Sequence, residues 1–321
     1  MDNNMNIVFQ FDAGKQIKTL VEEHNHEGFK ITYCSENAGE ANDKHLASAL
    51  EDADVLWHVL APVTKAVLDR APNLKLIQKV GVGVNTIDLE EAKARGIRVC
   101  NMPGSNSNAV AEVTVMLILA TLKQLTKMDR ITRSGQWRLT TEQQESLSEL
   151  RGKTVGFFGF GSIPRLIAPI LEAMGAKIIY TATQPKDDVG HRFVEFSELL
   201  QVSDVLTLHA GFTESTASIM NDKAFASMKP GAVFINTSRG GLVNEKALHH
   251  ALTEGTLAAA GLDVFVEEPA LASNPLLALE NVIVSPHVAW LTQETWQRSI
   301  AIAMENSQKH RDGDVLIYPI I

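Results

Sequence analysis

Short apolar runs alternate along this chain with segments whose apolar residues recur at helical spacing, a pattern that reads as α/β units built on parallel sheets. Near the start, Asn6–Gln10, Phe29–Cys34, Val55–Val59, Leu76–Val80 and Arg98–Asn101 carry the strand pattern, and Asp43–Glu51 and Leu89–Arg95 fit connecting helices. These make one small doubly wound unit. A long helical stretch follows from Asn108 to about Ile131, with Val113, Met116, Leu117, Ala120 and Leu122 on more than one face. A helix that is apolar on most sides is buried, either between domains or against a second subunit. A second alternating series begins at Arg151, with strands expected at Thr154–Phe158, Lys177–Thr181, Val205–His209, Ala232–Thr237, Ala260–Phe265 and Val282–Ser285. Six strands separated by helices match a dinucleotide-binding sheet in number. After Pro286 come one more amphipathic helix, about Thr292–Gln308, and a short apolar tail.

The 321 residues suffice for two domains of ordinary size, and a hydrophobic content of 45% supplies their cores. The formal net charge is −9 and no basic run is present, so the surface repels phosphate backbones and anionic headgroups. Neither nucleic acid nor a membrane is an expected partner, whereas a small anion still binds where a few cations are focused in a cleft. The two cysteines, Cys34 and Cys100, lie far apart and read as reduced, buried thiols of a cytoplasmic protein; no disulfide and no metal site is expected. Met1-Asp2-Asn3-Asn4 lacks a basic region leading into an apolar one, so no signal peptide is expected. No apolar run approaches the ~20 residues needed to cross a bilayer.

Strand Thr154–Phe158 runs into Gly159-Phe160-Gly161-Ser162-Ile163-Pro164 and then a helical pattern. In a strand–glycine turn–helix, the backbone comes close to a pyrophosphate because no Cβ intervenes, and the first helical N–H groups, here at Ser162 and Ile163, point at the anion. Pro164 replaces the third glycine of the usual pattern, at little cost in a first turn, where its missing N–H has no partner to lose. Pro169 is less expected, since an interior helix proline costs about 3 kcal/mol unless the helix kinks. An acidic residue roughly twenty positions on would bind the adenosine ribose. This chain has Tyr180-Thr181-Ala182-Thr183-Gln184-Pro185-Lys186 there, with its nearest acids at Asp187 and Asp188. A 2′-phosphate meets no repulsion in that stretch, Thr181 and Thr183 can donate to it and Lys186 can supply charge, which tips the expectation from NAD towards NADPH.

Three later strands bring candidate chemistry to their carboxyl ends, where ligands bind in open α/β sheets. Asn236-Thr237-Ser238-Arg239-Gly240-Gly241 holds an arginine, Gly261-Leu262-Asp263-Val264-Phe265-Val266-Glu267-Glu268-Pro269 holds carboxylates, and Ser285-Pro286-His287-Val288-Ala289-Trp290 holds a histidine. Reduction of a 2-keto acid needs a cation for the carboxylate and an acid for the carbonyl oxygen. A guanidinium grips such oxygens as a fork, and an imidazole beside a carboxylate keeps its proton near neutral pH. Singly, Arg239 reads equally as a surface cation, Glu268 as a helix-start residue and His287 as a satisfied loop histidine. At three adjacent strand ends they read as one site. Thr237, Ser238 and Trp290 are further candidate cofactor contacts.

The chain resembles the D-isomer-specific 2-hydroxyacid dehydrogenase family over about residues 55 to 300. Ala71-Pro72-Asn73-Leu74-Lys75-Leu76-Ile77, Val80-Gly81-Val82-Gly83-Val84-Asn85, Asn101-Met102-Pro103-Gly104-Ser105-Asn106, Val110-Ala111-Glu112 and the three strand ends carry the likeness. The resemblance implies a Rossmann cofactor domain over 102–290 and a smaller flavodoxin-like substrate domain made of 1–101 and 291–321. It further implies that Arg239 binds and polarises the keto acid, His287 is the acid/base, and Glu268 rather than Glu267 partners it. Asp263 would face the nicotinamide, and the N–H groups of Val82 and Gly83 would hold the substrate carboxylate. Pro164, Thr181 and Gly211, the last standing where the family usually has proline, depart from the pattern. The function so implied is reduction of a small 2-keto acid such as glyoxylate or hydroxypyruvate; the apolar helix adds the expectation of a homodimer through the 102–150 region, and the cysteines that of a cytoplasmic enzyme. A phosphite-type hydride donor on the same scaffold, or a non-catalytic dinucleotide-sensing protein of the corepressor kind, is the alternative.

Overall fold

The computed structural model describes residues 4–25, 28–36 and 40–321. Met1, Asp2 and Asn3, on which part of the signal-peptide expectation rests, lie outside the described residues. The chain divides into two compact units, Met1–Asn106 with Leu291–Ile321, and Ser107–Trp290.

The first unit runs β1 (Met5–Gln10), α1 (Lys15–His24), β2 (Phe29–Cys34), α2 (Glu40–Glu51), β3 (Val55–His58), α3 (Lys65–Leu68), β4 (Leu76–Lys79), α4 (Leu89–Ala94) and β5 (Arg98–Cys100). Among the described residues its sheet has five parallel strands in the order β2-β1-β3-β4-β5, the flavodoxin-like order. Every residue of β3 and β4 is buried, as a sheet covered on both faces demands. One face packs Val8, Leu50, Leu56, Leu68, Ile77 and Val99. The C-terminal helix, Gln293–Asp312, is tied into the same unit through Trp57 Nε1, which donates to Ser307 Oγ (3.0 Å), and through buried Asn306, whose Nδ2 donates to Gln78 Oε1 (2.6 Å). Thr292 caps its start, and Gly313 at φ 78° ends it one turn beyond the expected Gln308. The added turn is polar but basic (Lys309, His310, Arg311), and suits the negative end of a helix dipole.

The second unit opens with α5 (Ser107–Leu122), α6 (Leu125–Arg133) and α7 (Thr141–Glu145). The sequence predicts one helix to about Ile131. The structure instead breaks it at Gln124, which takes φ 48°, and α6 leaves at 61°. The break is satisfied locally: Ser148 N–H donates to the Leu122 carbonyl (3.0 Å), and Gln124 Nε2 donates to Ser146 O (3.2 Å). Next come β6 (Thr154–Phe158), α8 (Ser162–Ala173), β7 (Lys177–Thr181), β8 (Arg192–Phe193), α9 (Phe196–Val202), β9 (Val205–Leu208), α10 (Asp222–Ala226), β10 (Ala232–Asn236), α11 (Glu245–Thr253), β11 (Leu257–Leu262) and β12 (Val282–Val284); the closing helix Gln293–Asp312 is α12. The sheet order is β12-β11-β10-β9-β6-β7-β8, all parallel: the dinucleotide-binding arrangement with a seventh strand. The sequence predicts six, because the two residues of β8 are too few to show a period. Pro169 lies inside α8 on its exposed side, where solvent can serve the carbonyl that loses its N–H partner. Both units are doubly wound parallel sheets, as the apolar pattern predicts. Among the described residues no single helix is long and apolar enough to cross a membrane.

Candidate active site

Three neighbouring strands of the second unit end level, with Asn236 paired to Leu262 and Leu262 to Val284. The turns that follow therefore start side by side. Beyond β10, Asn236 holds the arginine turn from within: its Oδ1 accepts from Ser238 N–H (3.0 Å) and its Nδ2 donates to Arg239 O (2.9 Å). Thr237 Oγ1 meets Thr114 Oγ1 of α5 at 2.9 Å, and Ser238 Oγ donates to Ala210 O (2.6 Å). Arg239 itself is half-buried, with one guanidinium nitrogen donating to Ser238 O (2.7 Å). Burial lowers its pKa, and the Glu268 charge opposes that shift. Gly240 must be glycine: a Cβ would overlap the Phe265 carbonyl. The arginine turn thus rests directly on the chain that leads to Glu268.

His287 Nδ1 lies 2.6 Å from Glu268 Oε2, and Glu268 Oε1 accepts from the Phe265 N–H at 2.9 Å. Of the two adjacent acids, it is Glu268 that meets the imidazole. Burial alone would raise the Glu268 carboxyl, but the His287 and Phe265 hydrogen bonds and the nearby charges of His287 and Arg239 outweigh it and hold it below its usual value. His287 adopts φ 54°, a left-handed conformation that costs a non-glycine residue of order 1–3 kcal/mol and persists only where the surroundings fix it. They do so here. His287 N–H donates to Asp263 O (2.8 Å), and Trp290 Nε1 donates to His287 O (3.0 Å). Buried Asp263 spends both carboxylate oxygens on the same loop: Oδ1 accepts from Ser285 Oγ (2.5 Å) and Val288 N–H (3.0 Å), and Oδ2 from Ala289 N–H (2.9 Å). With Nδ1 committed to Glu268, Nε2 is the ring nitrogen placed to exchange a proton with a ligand.

The glycine turn follows β6. Gly159 at φ 91° passes so close to the end of β9 that a Cβ would stand 2.7 Å from His209 O. Gly161 caps α8, and a Cβ there would meet nothing within 4 Å, an open cradle directly before the helix start. Ser162 and Ile163 are its first two residues, and Pro164, the third, loses no hydrogen bond. These residues fit a pyrophosphate. Thr181 closes β7 as a buried residue, and its carbonyl accepts from Gly159 N–H (2.9 Å). The turn beyond it is held by Tyr180, whose hydroxyl accepts from Lys186 N–H (2.9 Å). Val82 and Gly83 lie in the first unit on the loop after β4, with Val82 O accepting from Asn101 Nδ2 (2.8 Å).

Sequence reasoning misses two neighbours of this turn. Arg165, four residues past Gly161 on α8, pairs with Asp188 (2.8 Å), and its place one helical turn from the glycines was the available signal. Ser107, the first residue of α5, reaches Ser162 Oγ with its own Oγ (3.0 Å), for which the sequence offers no signal. His209 beside the turn is not a competing acid: burial pushes its pKa down to about 3, leaving it neutral. Cys34 and Cys100 are unpaired, and burial raises both thiols to about 11. Among the described residues, no cluster of three or more His, Cys, Asp or Glu side chains is arranged to hold a metal.

Residues 115–289 match the model of the D-isomer specific 2-hydroxyacid dehydrogenase NAD binding domain. The chain is 33% identical over 301 residues to a glyoxylate reductase of Korarchaeum cryptofilum, covering 92% of this chain and 89% of that one. It is 37% identical over 263 residues to a hydroxypyruvate reductase of Thermotoga maritima, covering 81% and 85%. The fold matches an NAD-dependent formate dehydrogenase of Staphylococcus aureus solved with NAD, at TM-score 0.88 and 30% identity over 99% of both chains. With its parallel sheet, glycine turn and level strand ends, this chain belongs to the D-isomer-specific 2-hydroxyacid dehydrogenase family, oxidoreductases that work with a nicotinamide dinucleotide.

Proposed function

We propose that the chain reduces a small 2-keto acid of the glyoxylate or hydroxypyruvate type to its D-2-hydroxy acid. The observation that carries this reading is the Glu268–His287 pair, 2.6 Å apart, bridging the ends of β11 and β12 level with the β10 end that bears Arg239. The relatives named glyoxylate reductase and hydroxypyruvate reductase support the substrate class.

The nicotinamide dinucleotide, when bound, supplies the hydride that reaches the keto carbon. The rest is the work of the chain. The Arg239 fork grips the substrate's carboxylate and carbonyl oxygens, and its partial burial strengthens that grip by thinning competing water. His287 gives a proton from Nε2 to the carbonyl oxygen, which becomes the hydroxyl. Glu268 keeps the ring oriented through Nδ1. For Val82 and Gly83 we propose the role the resemblance implies, N–H donation to the substrate carboxylate. Gly159, Gly161, Ser162, Ile163, Thr181, Thr237, Ser238, Asp263 and Trp290 we assign to the cofactor, Asp263 and Trp290 chiefly by shaping the His287 loop. Glyoxylate, hydroxypyruvate and pyruvate assayed with NADH and NADPH test the reading. Turnover of none of them would overturn it.

We further propose a preference for NADPH. No carboxylate follows β7 before Asp187, while Lys186 stands in the ordered turn and Arg165 one helical turn from the glycine cradle. Thr181 is buried, so Ala182 is the first half-buried position after the strand. Ala182→Asp should lower kcat/KM for NADPH by at least about tenfold, the equivalent of ~1.4 kcal/mol of like-charge repulsion, and leave NADH unharmed. Equal loss with both cofactors would contradict the preference.

The region 102–150 exposes large apolar side chains, Trp137 at 85%, Leu125 at 55% and Met116 at 51% of their surface. We propose that a second copy covers them. Sedimentation as a 35.1 kDa monomer at micromolar concentration would refute this. The two unpaired cysteines fit a reducing compartment, the cytoplasm.

A further inference from the structure

Glu268 works only if something holds the stretch that carries it. Residues 266–274 form an irregular loop with an outward-facing surface, Val266 60% and Leu271 54% exposed. Among the described residues, both hydrogen bonds that join this stretch to another helix end on a single carboxylate, Glu245, the first residue of α11. Its Oε1 accepts from the Val266 N–H (2.7 Å) and its Oε2 from Asn274 Nδ2 (2.8 Å). Asn274 in turn caps the short helical turn Pro275–Ala278 through the Leu276 N–H (3.0 Å). Two successive amides are thus taken by two different carboxylates: Phe265 N–H by Glu268 and Val266 N–H by Glu245. The site's own acid folds back on the loop, and the second acid pins the loop from outside. α11 starts five residues after Gly240, whose missing Cβ lets the arginine turn lie against Phe265 and Val266. One anchor therefore stands between the Arg239 turn and the Glu268 loop. A carboxylate at a helix start is favoured there by the exposed N–H groups, so the anchor is stable in its own right.

We infer that Glu245 is a positioning residue: it fixes Val266 and Asn274 so that Glu268 holds His287 in register, and it touches neither substrate nor cofactor. This rests on the roles proposed above for Glu268 and His287. A loop free to shift by about 1 Å loses on the order of a hundredfold in rate, because proton transfer depends on a fixed geometry.

The test compares Glu245→Ala, Glu245→Asp and Glu245→Gln in the full chain. Glu245→Ala removes both acceptors and should lower kcat about ten- to a hundredfold, with KM for the keto acid within twofold and the dinucleotide Kd unchanged. Glu245→Asp keeps the charge and the helix start but falls one methylene short; it should fold normally and still lose about tenfold in kcat. Glu245→Gln keeps one acceptor for Val266 and should recover kcat to within about threefold. In a Glu268→Gln background the added Glu245→Ala should change kcat by less than about twofold, because the group it serves is gone. Two readouts need no turnover. A low-field proton resonance of the His287–Glu268 hydrogen bond should be present in the native protein and Glu245→Gln and lost in Glu245→Ala, and the Phe265 and Val266 amides should exchange faster in Glu245→Ala. If the native enzyme reduces no keto acid, the reaction assignment fails while these two readouts still decide the role of Glu245. Folded Glu245→Ala and Glu245→Asp with native kcat, an unshifted low-field proton or native amide exchange would overturn the inference. So would an equal loss of kcat in the Glu268→Gln background.

Discussion

Replacing His287 by alanine should lower kcat by about 10²–10⁴, the span that a positioned general acid supplies, while dinucleotide affinity stays within a factor of two. The ring's Nδ1 is committed to Glu268, so alanine removes the proton donor and strands the carboxylate that was held low by it. The glycine turn proposed for the pyrophosphate belongs to β6 and α8 and makes no use of the imidazole. Position 287 also sits at φ 54°, which alanine tolerates poorly, so a second variant separates chemistry from backbone strain. Asparagine is among the residues most tolerant of that conformation, yet carries no titratable proton. His287→Asn should therefore keep the loop, its Asp263 hydrogen bonds and the Trp290 contact, and still lose the same turnover. Single-turnover reduction by stopped flow, with dinucleotide fluorescence titrations on each variant, makes the comparison. Folded variants that both retain kcat within threefold would remove His287 from the chemistry.

The architecture was legible because parallel sheets advertise themselves. Strands buried on both faces, such as Val55–His58 and Ala232–Asn236, read as short unbroken apolar runs, and the helices between them carry a different period. Three details escaped for physical reasons of their own. The two residues of β8 have no period to detect. The bend at Gln124 depends on Ser146 and Ser148, more than twenty residues further on, which satisfy the broken helix end. The last turn of α12 is set by charge and a left-handed glycine, not by an apolar stripe. Long-range hydrogen bonds of this kind leave no local mark on a sequence.

The site divides along the same line. Arginine, glutamate and histidine in three successive strand-end turns were visible as residue types, and the parallel topology sets those strand ends side by side. Which of two neighbouring acids faces the imidazole was not decided by spacing; it follows from Phe265 N–H holding one oxygen of the Glu268 carboxylate while the other meets His287. Asp263 was expected at the nicotinamide; its three hydrogen bonds to residues 285–289 show it fixing the loop that bears His287, which spacing did not reveal. Arg165 and Ser107 were missed because neither stands in the glycine pattern: one lies a helical turn past it, and the other arrives from α5.

The second large effect is at Arg239, and the conservative change is the informative one. Arg239→Ala should cut kcat/KM for the keto acid by about 10²–10³, because a charge-assisted fork to a partly desolvated carboxylate is worth roughly 2–5 kcal/mol when one partner is removed. Arg239→Lys retains the charge but offers a point cation in place of a planar pair of donors, so it should recover only about tenfold of that loss. The turn itself survives either change, since Asn236 holds it through backbone groups of residues 238 and 239. Half-burial sharpens the contrast: the environment already opposes the cation and Glu268 supports it, so an ammonium, which is more strongly hydrated, is held there less well. Most of the loss should fall on KM if the guanidinium mainly grips the ground-state carboxylate, and on kcat if it mainly polarises the carbonyl. Native kcat/KM in Arg239→Lys would show that charge alone suffices and that no fork is formed.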